Sequence, residues 1–175
     1  MTERLAGLPS KPGADILDVC CGPRMFYGPE SKDRTDVIYM DIRRADLEYT
    51  HKDSGTVSEW HIDPDIIGDF RDIPFESDMF SLVVFDPPHI HRESDSGIIV
   101  QKYGKLTAEW KDDLRRGFRE CMRVCRPGGF VNFKWSESEI PMSEVSPLFP
   151  CPPMYYQRRG AQRSGYWAMF RKGGC

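Results

Sequence analysis

The chain has 175 residues, 39% apolar and 29% charged, a size and composition that fit one soluble domain with one core. No apolar stretch is long enough to span a bilayer. Met1 to Gly13 has neither the basic-plus-apolar form of a secretory signal nor a transit-peptide composition, so the expectation is a cytoplasmic protein without a membrane partner. The net charge of −3 hides an asymmetry, with −10 over residues 1–100 and +7 over residues 101–175.

In chain order, residues 1–13 read as an N-terminal extension of a single domain spanning 1–175. Short apolar runs then alternate with helical patterns. The candidate strands are Ile16–Cys20, Val37–Met40, Ile66–Ile67, Ser81–Phe85 and Phe130–Trp135, each bounded by Gly, Pro or Asp. Residues 43–65 are polar without a helical period and read only as a surface excursion. The clearest helix is expected from an N-cap at Thr107, with Glu109 in its first turn. Trp110, Leu114, Phe118, Cys121, Met122 and Cys125 recur there at steps of three and four, which gives one apolar face. Arg126-Pro127-Gly128-Gly129 should end it and reverse the chain into the next strand. After the irregular stretch of Pro141, Pro147, Pro150, Pro152 and Pro153, Met154–Gln157 and Tyr166–Arg171 are expected to form an antiparallel edge pair. The pattern is that of an α/β fold: a mostly parallel sheet, helices on both faces, and an antiparallel C-terminal edge.

The six cysteines show no Cys-x-x-Cys pair and do not read as a disulfide framework. Cys20 and Cys21 are adjacent, and Cys121 and Cys125 lie four apart on the expected helix, where burial is the natural role. Met154–Cys175 carries Arg158, Arg159, Arg163, Arg171 and Lys172 and no acid. That stretch reads either as a solvated basic face or as a docking surface for an anionic substrate such as nucleic acid.

An open parallel sheet binds ligands at the carboxyl ends of its strands, near the switch point beside the first strand. There stand Asp18, Cys20, Cys21 and Gly22, with glycine allowing backbone to approach a ligand closely, although a Gly-x-Gly-x-x-Gly fingerprint does not occur. The second strand ends in Asp41, either a solvated acid or a carboxylate that accepts both hydroxyls of a ribose. Asp69-Phe70-Arg71-Asp72-Ile73-Pro74-Phe75 and Asp86-Pro87-Pro88-His89 follow. Asp86, His89, His91 and Glu93 are also metal-ligand types, but no helical ligand pair or distant cluster accompanies them, so no metal is expected. No serine or cysteine sits in a nucleophile elbow. The polar segment His91–Leu106 reads as a lid or as a plain connection, and Trp135 as core or as a stacking platform.

In their order and spacing these segments resemble the class I S-adenosylmethionine-dependent methyltransferases, over about Ala14 to Phe170. The match includes Asp69–Phe75 with the following Asp78–Val84, and the helix ending in Pro127-Gly128-Gly129. The likeness is to small bacterial and phage members. It implies a Rossmann-like fold and S-adenosyl-L-methionine as cofactor, with Asp18, Cys20 and Gly22 at its methionine end, Asp41 on the ribose, and Asp69 with Phe70 at the adenine. The chain departs from the family in having one glycine, Gly22, in a loop that usually carries two or three.

Asp86-Pro87-Pro88-His89 resembles the Asp/Asn-Pro-Pro-aromatic motif of enzymes that methylate exocyclic base amines. It implies catalytic roles for Asp86 and the Pro87 carbonyl as acceptors of the amine hydrogens, and for His89 as the stacking residue. The expected partner is therefore a nucleic acid or nucleotide. A small-molecule methyltransferase and a non-catalytic cofactor-binding module are the alternatives.

Overall fold

The computed structural model describes residues 4–51, 53–91, 97–159 and 165–174. Nine strands run in chain order: β1 (Ile16–Asp18), β2 (Val37–Asp41), β3 (Ala45–Thr50), β4 (Val57–Ile62), β5 (Ile66–Ile67), β6 (Phe80–Phe85), β7 (Cys125–Ser136), β8 (Tyr155–Arg159) and β9 (Gly165–Arg171). The helices are α1 (Ile98–Tyr103), α2 (Trp110–Val124) and α3 (Met142–Val145). Seven strands form one sheet in the order β5-β2-β1-β6-β7-β9-β8. Its β5-to-β7 part is parallel, and β9 runs antiparallel to both β7 and β8. The α/β class and the antiparallel C-terminal pair are as the sequence leads one to expect.

Strand alternation sorts the side chains onto two faces. Leu17, Ile38, Val83, Phe85, Val131, Phe133 and Phe170 point to one face and are fully buried there beneath Trp110, Leu114, Phe118 and Cys121 of α2. Phe118 is the hub, with its ring centre 4.6 Å from Phe170 and 4.7 Å from Phe149. Val37 and Tyr39 point to the other face, where they pack with Cys21, Ile16 and Tyr27. At the edge of the core Leu5 donates its N–H to the Pro74 carbonyl at 2.8 Å and Leu8 packs on the core, so this part of the expected extension is seated on the body.

Three local expectations differ from what forms. Among the described residues α2 is the one long crossover helix. The β1-to-β2 connection runs through turns and one 3-10 turn at Pro29–Ser31, because Gly22, Pro23, Gly28 and Pro29 leave no stretch able to hold a helix. Residues 43–65 contain the β3–β4 hairpin, in which Asp46 pairs with His61 and Leu47 with Trp60. Finally, α2 begins at Trp110 and not at a Thr107 cap. The Thr107 hydroxyl accepts the Glu109 N–H at 3.1 Å and donates to the Asp113 carboxylate at 2.6 Å, which fixes the turn before the helix.

Arg126–Gly129 also behaves differently from a free reversal. Cys125 already pairs with Phe80, and the register shift between Phe80 and Leu82 takes the four residues up as a bulge within β7. A Cβ at Gly129 would lie 2.8 Å from the Ser81 carbonyl oxygen and 2.9 Å from Cys125 Sγ, so only glycine lets the strand close here.

Four cysteines, Cys20, Cys21, Cys121 and Cys125, are free thiols. Cys151 is disulfide-bonded, which corrects the expectation that none pairs; sequence spacing alone does not reveal such a link. Among the described residues no helix is long and apolar enough to cross a membrane.

Gly117 gives a stability prediction whose sign is opposite to helix propensity. Alanine favours a helix interior over glycine by about 0.5–1 kcal/mol. A Cβ at Gly117, however, would overlap the Phe70 ring and stand 2.9 Å from Phe85 Cζ. Gly117→Ala should therefore destabilise the fold by about 1–3 kcal/mol, the ordinary cost of overpacking a core. Urea denaturation midpoints measure it, and an unchanged or higher midpoint refutes the packing argument.

Candidate active site

The parallel register sets three acids side by side. Asp18 pairs with Tyr39 of β2 and Val84 of β6, which places Asp41 and Asp86 just beyond at the neighbouring strand ends. Two cavities open there, of about 170 Å³ and about 350 Å³. Cys20, Asp86 and Tyr103 line both, so the cavities adjoin across these three residues.

The first cavity has Val19, Ile42, Phe70 and Leu106 as apolar walls and Asp41 among its polar groups. Asp41 accepts the Gly22 N–H at 3.0 Å and the Arg43 N–H at 3.3 Å, and each oxygen has a further lone pair to offer a ligand. Burial raises its pKa against those bonds. Gly22 has φ 49°, and a Cβ on it would meet the Tyr103 ring at 3.3 Å, so glycine here serves both the turn and the close approach of α1. The end of α1 and residues 104–107 cover this cavity. They are held by an Arg43 hydrogen bond to the Gln101 carbonyl and by Lys102, whose ammonium lies 4.2 Å from the Trp60 ring centre.

The second cavity is lined by Asp18, Pro87, His89 and Lys134, with Met25, Phe26 and Trp167. Lys134 forms an ion pair with Asp86. Burial raises the Asp86 pKa, and Lys134 and His89 pull it back toward the ionised form. Burial lowers the His89 pKa, which favours the neutral ring. Asp18 is almost wholly enclosed; it accepts the Tyr27 hydroxyl at 3.1 Å and the Cys20 N–H at 3.3 Å. Burial nevertheless carries its pKa up to about 7, helped by the charges of Asp86 and Asp41. Burial also pushes the Cys20 and Cys21 thiols up, so neither is an activated nucleophile.

Of the residues singled out in the sequence, Gly22, Asp41 and Phe70 line the first cavity, Asp18, Pro87 and His89 the second, and Cys20 and Asp86 both. Asp69 lines neither cavity. Its carboxylate grips Arg71 through Nε at 2.9 Å and Nη2 at 2.6 Å, and Arg71 in turn reaches Asp113 at 3.1 Å. Arg71 and Asp113 are the cavity-lining pair that sequence reasoning missed. Asp113 carried a signal, since it lies between Trp110 and Leu114 on the apolar face of α2 and is buried.

Trp135 is core and donates its indole N–H to the Ile140 carbonyl at 3.0 Å. Arg158 pairs with Glu137 at 3.1 Å, and Arg163 lies outside the described residues. The metal alternative included Glu93, which is also outside them. Among the described residues no cluster of three ligand-type side chains is placed to hold a metal ion.

The strand order, with the cavities at the carboxyl ends of the parallel strands, is that of a Rossmann-like fold. No family model matches the sequence, and no curated protein matches it. Among solved structures the chain is similar to the PH0226 protein of Pyrococcus horikoshii OT3, with a TM-score of 0.54 and 15% identity over 90% of this chain and 81% of that one. It is similar also to a SAM-dependent methyltransferase of Methanosarcina mazei, with a TM-score of 0.53 and 11% identity over 90% of this chain and 91% of that one. At such identities the likeness is one of fold.

Asp18 makes stability depend on pH. Its pKa of about 7 in the fold is above the ordinary 3.8, so the folded state binds the extra proton. Its stabilising contribution is complete below about pH 4 and is lost as pH rises through about 7. Asp18→Asn removes the titration. The melting temperature of the variant relative to wild type should rise from pH 6 to pH 8, and parallel profiles would exclude a protonated Asp18.

Proposed function

We propose that the protein, as one domain over residues 1–175, transfers a methyl group from S-adenosyl-L-methionine to an amine of a nucleic-acid base or nucleotide. The observation that carries this reading is the meeting of two cavities at Asp86, with Pro88 on one side and Pro87 and His89 on the other. One cavity takes the cofactor and the other the acceptor. The residues of the first fit the cofactor: the Gly22 cradle admits a close backbone approach, Asp41 offers acceptors to a ribose diol, and Phe70 and Leu106 give an adenine apolar walls.

The bound cofactor supplies a methyl group on a positively charged sulfur. Asp86 and the carbonyl of Pro87 accept the two amine hydrogens, which aligns the nitrogen lone pair with the methyl carbon and stabilises the charge that grows on nitrogen. As the nitrogen–carbon bond forms the carbon–sulfur bond breaks, its electron pair stays on sulfur, which leaves as a neutral thioether, and the surplus proton on nitrogen passes by way of Asp86 to solvent. Lys134 pairs with the Asp86 carboxylate and draws it toward the ionised form against burial. Tyr103 lines both cavities at the junction, and Leu106 adds an apolar wall to the first. A small-molecule acceptor is the second reading, favoured by the Arg158–Glu137 pair, which takes up one of the cations a polynucleotide would use.

Calorimetry with S-adenosylhomocysteine should give a micromolar Kd, about −7 to −9 kcal/mol. Asp41→Ala should weaken it by about 1.5–3 kcal/mol through lost charge-assisted hydrogen bonds. Binding of nicotinamide or adenine nucleotides in its place, with no heat from this ligand, rules the reading out.

Asp86→Ala separates the two cavities. It should lower methyl transfer from labelled cofactor to nucleotides and oligonucleotides by about a hundredfold or more, because the acceptor loses its alignment. Its S-adenosylhomocysteine affinity should stay close to that of wild type. A parallel loss of both moves Asp86 to the cofactor side.

A further inference from the structure

Phe26 and Trp167 come from the β1-to-β2 connection and from β9, far apart in sequence, and meet at the second cavity. Their ring centres are 4.8 Å apart and the planes are tilted by 49°, so the two rings form one continuous aromatic wall. Phe26 remains 38% exposed and Trp167 is only half-buried, whereas Phe133, Trp135 and Phe170 on the other face of the sheet are wholly enclosed. Large rings left at a cavity wall forgo burial that the core gives their neighbours, which marks the wall as a surface meant for contact.

The polar groups stand beside that wall. β7 and β9 pair Lys134 with Trp167 in register, which puts ammonium and indole on the same face of the sheet. Lys134 Nζ is 6.0 Å from the Phe26 ring centre and is ion-paired with Asp86. The positive charge is thus already matched by a carboxylate, and Asp18 adds a further acidic group. A cavity so charged does not attract a phosphate or carboxylate. It fits a flat, uncharged molecule with a polar edge. His89, the residue after the two prolines, sits edge-on to Trp135 with ring centres 6.4 Å apart.

We propose that Phe26 and Trp167, and not His89, form the stacking surface for the acceptor, and that the acceptor is a heteroaromatic amine of nucleobase type. The proposal rests on the reading of the second cavity as the acceptor side. It adds a specificity rule: the ring enters against the wall with its amine toward Asp86, and any phosphate stays outside. Stacking on an aromatic side chain tolerates every base, so the wall selects planarity and leaves the choice among amines to Asp86 and Lys134.

The test is calorimetric titration with adenosine 5′-monophosphate, cytidine 5′-monophosphate, ribose 5-phosphate and n-butylamine. Each is run with and without saturating S-adenosylhomocysteine. At least one nucleotide should bind, while ribose 5-phosphate and butylamine should not. Phe26→Ala and Trp167→Ala should each weaken the nucleotide about tenfold or more. Trp167→Phe, which keeps a ring, should lose less affinity than Trp167→Ala, and His89→Leu should lose less than either alanine variant. The proposal is overturned if the alanine variants bind the nucleotide as wild type does, if butylamine binds as well as the nucleotides, if His89→Leu carries the loss, or if neither nucleotide binds. A loss in Trp167→Phe as large as in Trp167→Ala also overturns it, because a missing ring is then not the cause. Failure of S-adenosylhomocysteine to bind would instead refute methyl transfer, and the titrations without it would still decide the stacking surface.

Discussion

Three carboxylates crowded at one end of a parallel sheet are the constraint around which this molecule is arranged. Asp18, Asp41 and Asp86 cannot all carry a full, unbalanced charge so close together in partly buried surroundings. The fold answers each differently. Asp41 receives two backbone N–H groups, Asp86 receives an ammonium, and Asp18 receives a tyrosine hydroxyl and a raised pKa. These answers also set the groups apart: Asp41 is held by backbone N–H groups, Asp86 is paired with a cation, and Asp18 is the acid whose burial favours its protonated form. Such separation of neighbouring acids is the usual way a site acquires distinct roles from one residue type.

The supports of that arrangement are unusually economical. With no helix in the β1-to-β2 connection, the second face of the sheet near the site is covered by the loop itself, pinned through Arg24. Arg24 takes a positive φ of 53°, a conformation rare for its residue type, and its guanidinium lies 4.0 Å from the Tyr39 ring centre while bonding Asp33 and the Asp63 carbonyl. The β3–β4 hairpin does comparable work on the other cavity, where Trp60 receives Lys102 of α1. Loop and hairpin thus replace helices as the elements that hold the site's walls.

Much of this was legible in the chain. The strands β1, β2, β6 and β7 and the apolar face of α2 follow from short β-branched and aromatic runs and from three-and-four spacing. The strand-end acids follow from the same reading. The β3–β4 hairpin was missed although its signal was present: Leu47 and Tyr49 alternate with polar residues, and Asp53-Ser54-Gly55 is turn chemistry, with Gly55 at φ 69°. Alternation over so short and polar a stretch is weak beside the apolar runs of the core strands. Thr107 has the composition of a cap, but its hydroxyl serves Asp113, a choice made by a residue one and a half turns further on.

The sequence by itself determined the class of fold, the order of the strands' chemistry along the chain and the acids that stand at their ends, because each is written in periodicity within a few residues. Tertiary structure alone decided which acids share a cavity, that Lys134 neutralises Asp86, that Arg71 reaches Asp113, and that Phe26 meets Trp167. Those pairings join residues separated by up to most of the chain. They depend on sheet register and on which face a side chain takes, and a register slip of one residue would reverse every one of those faces. Local patterns carry no record of that choice.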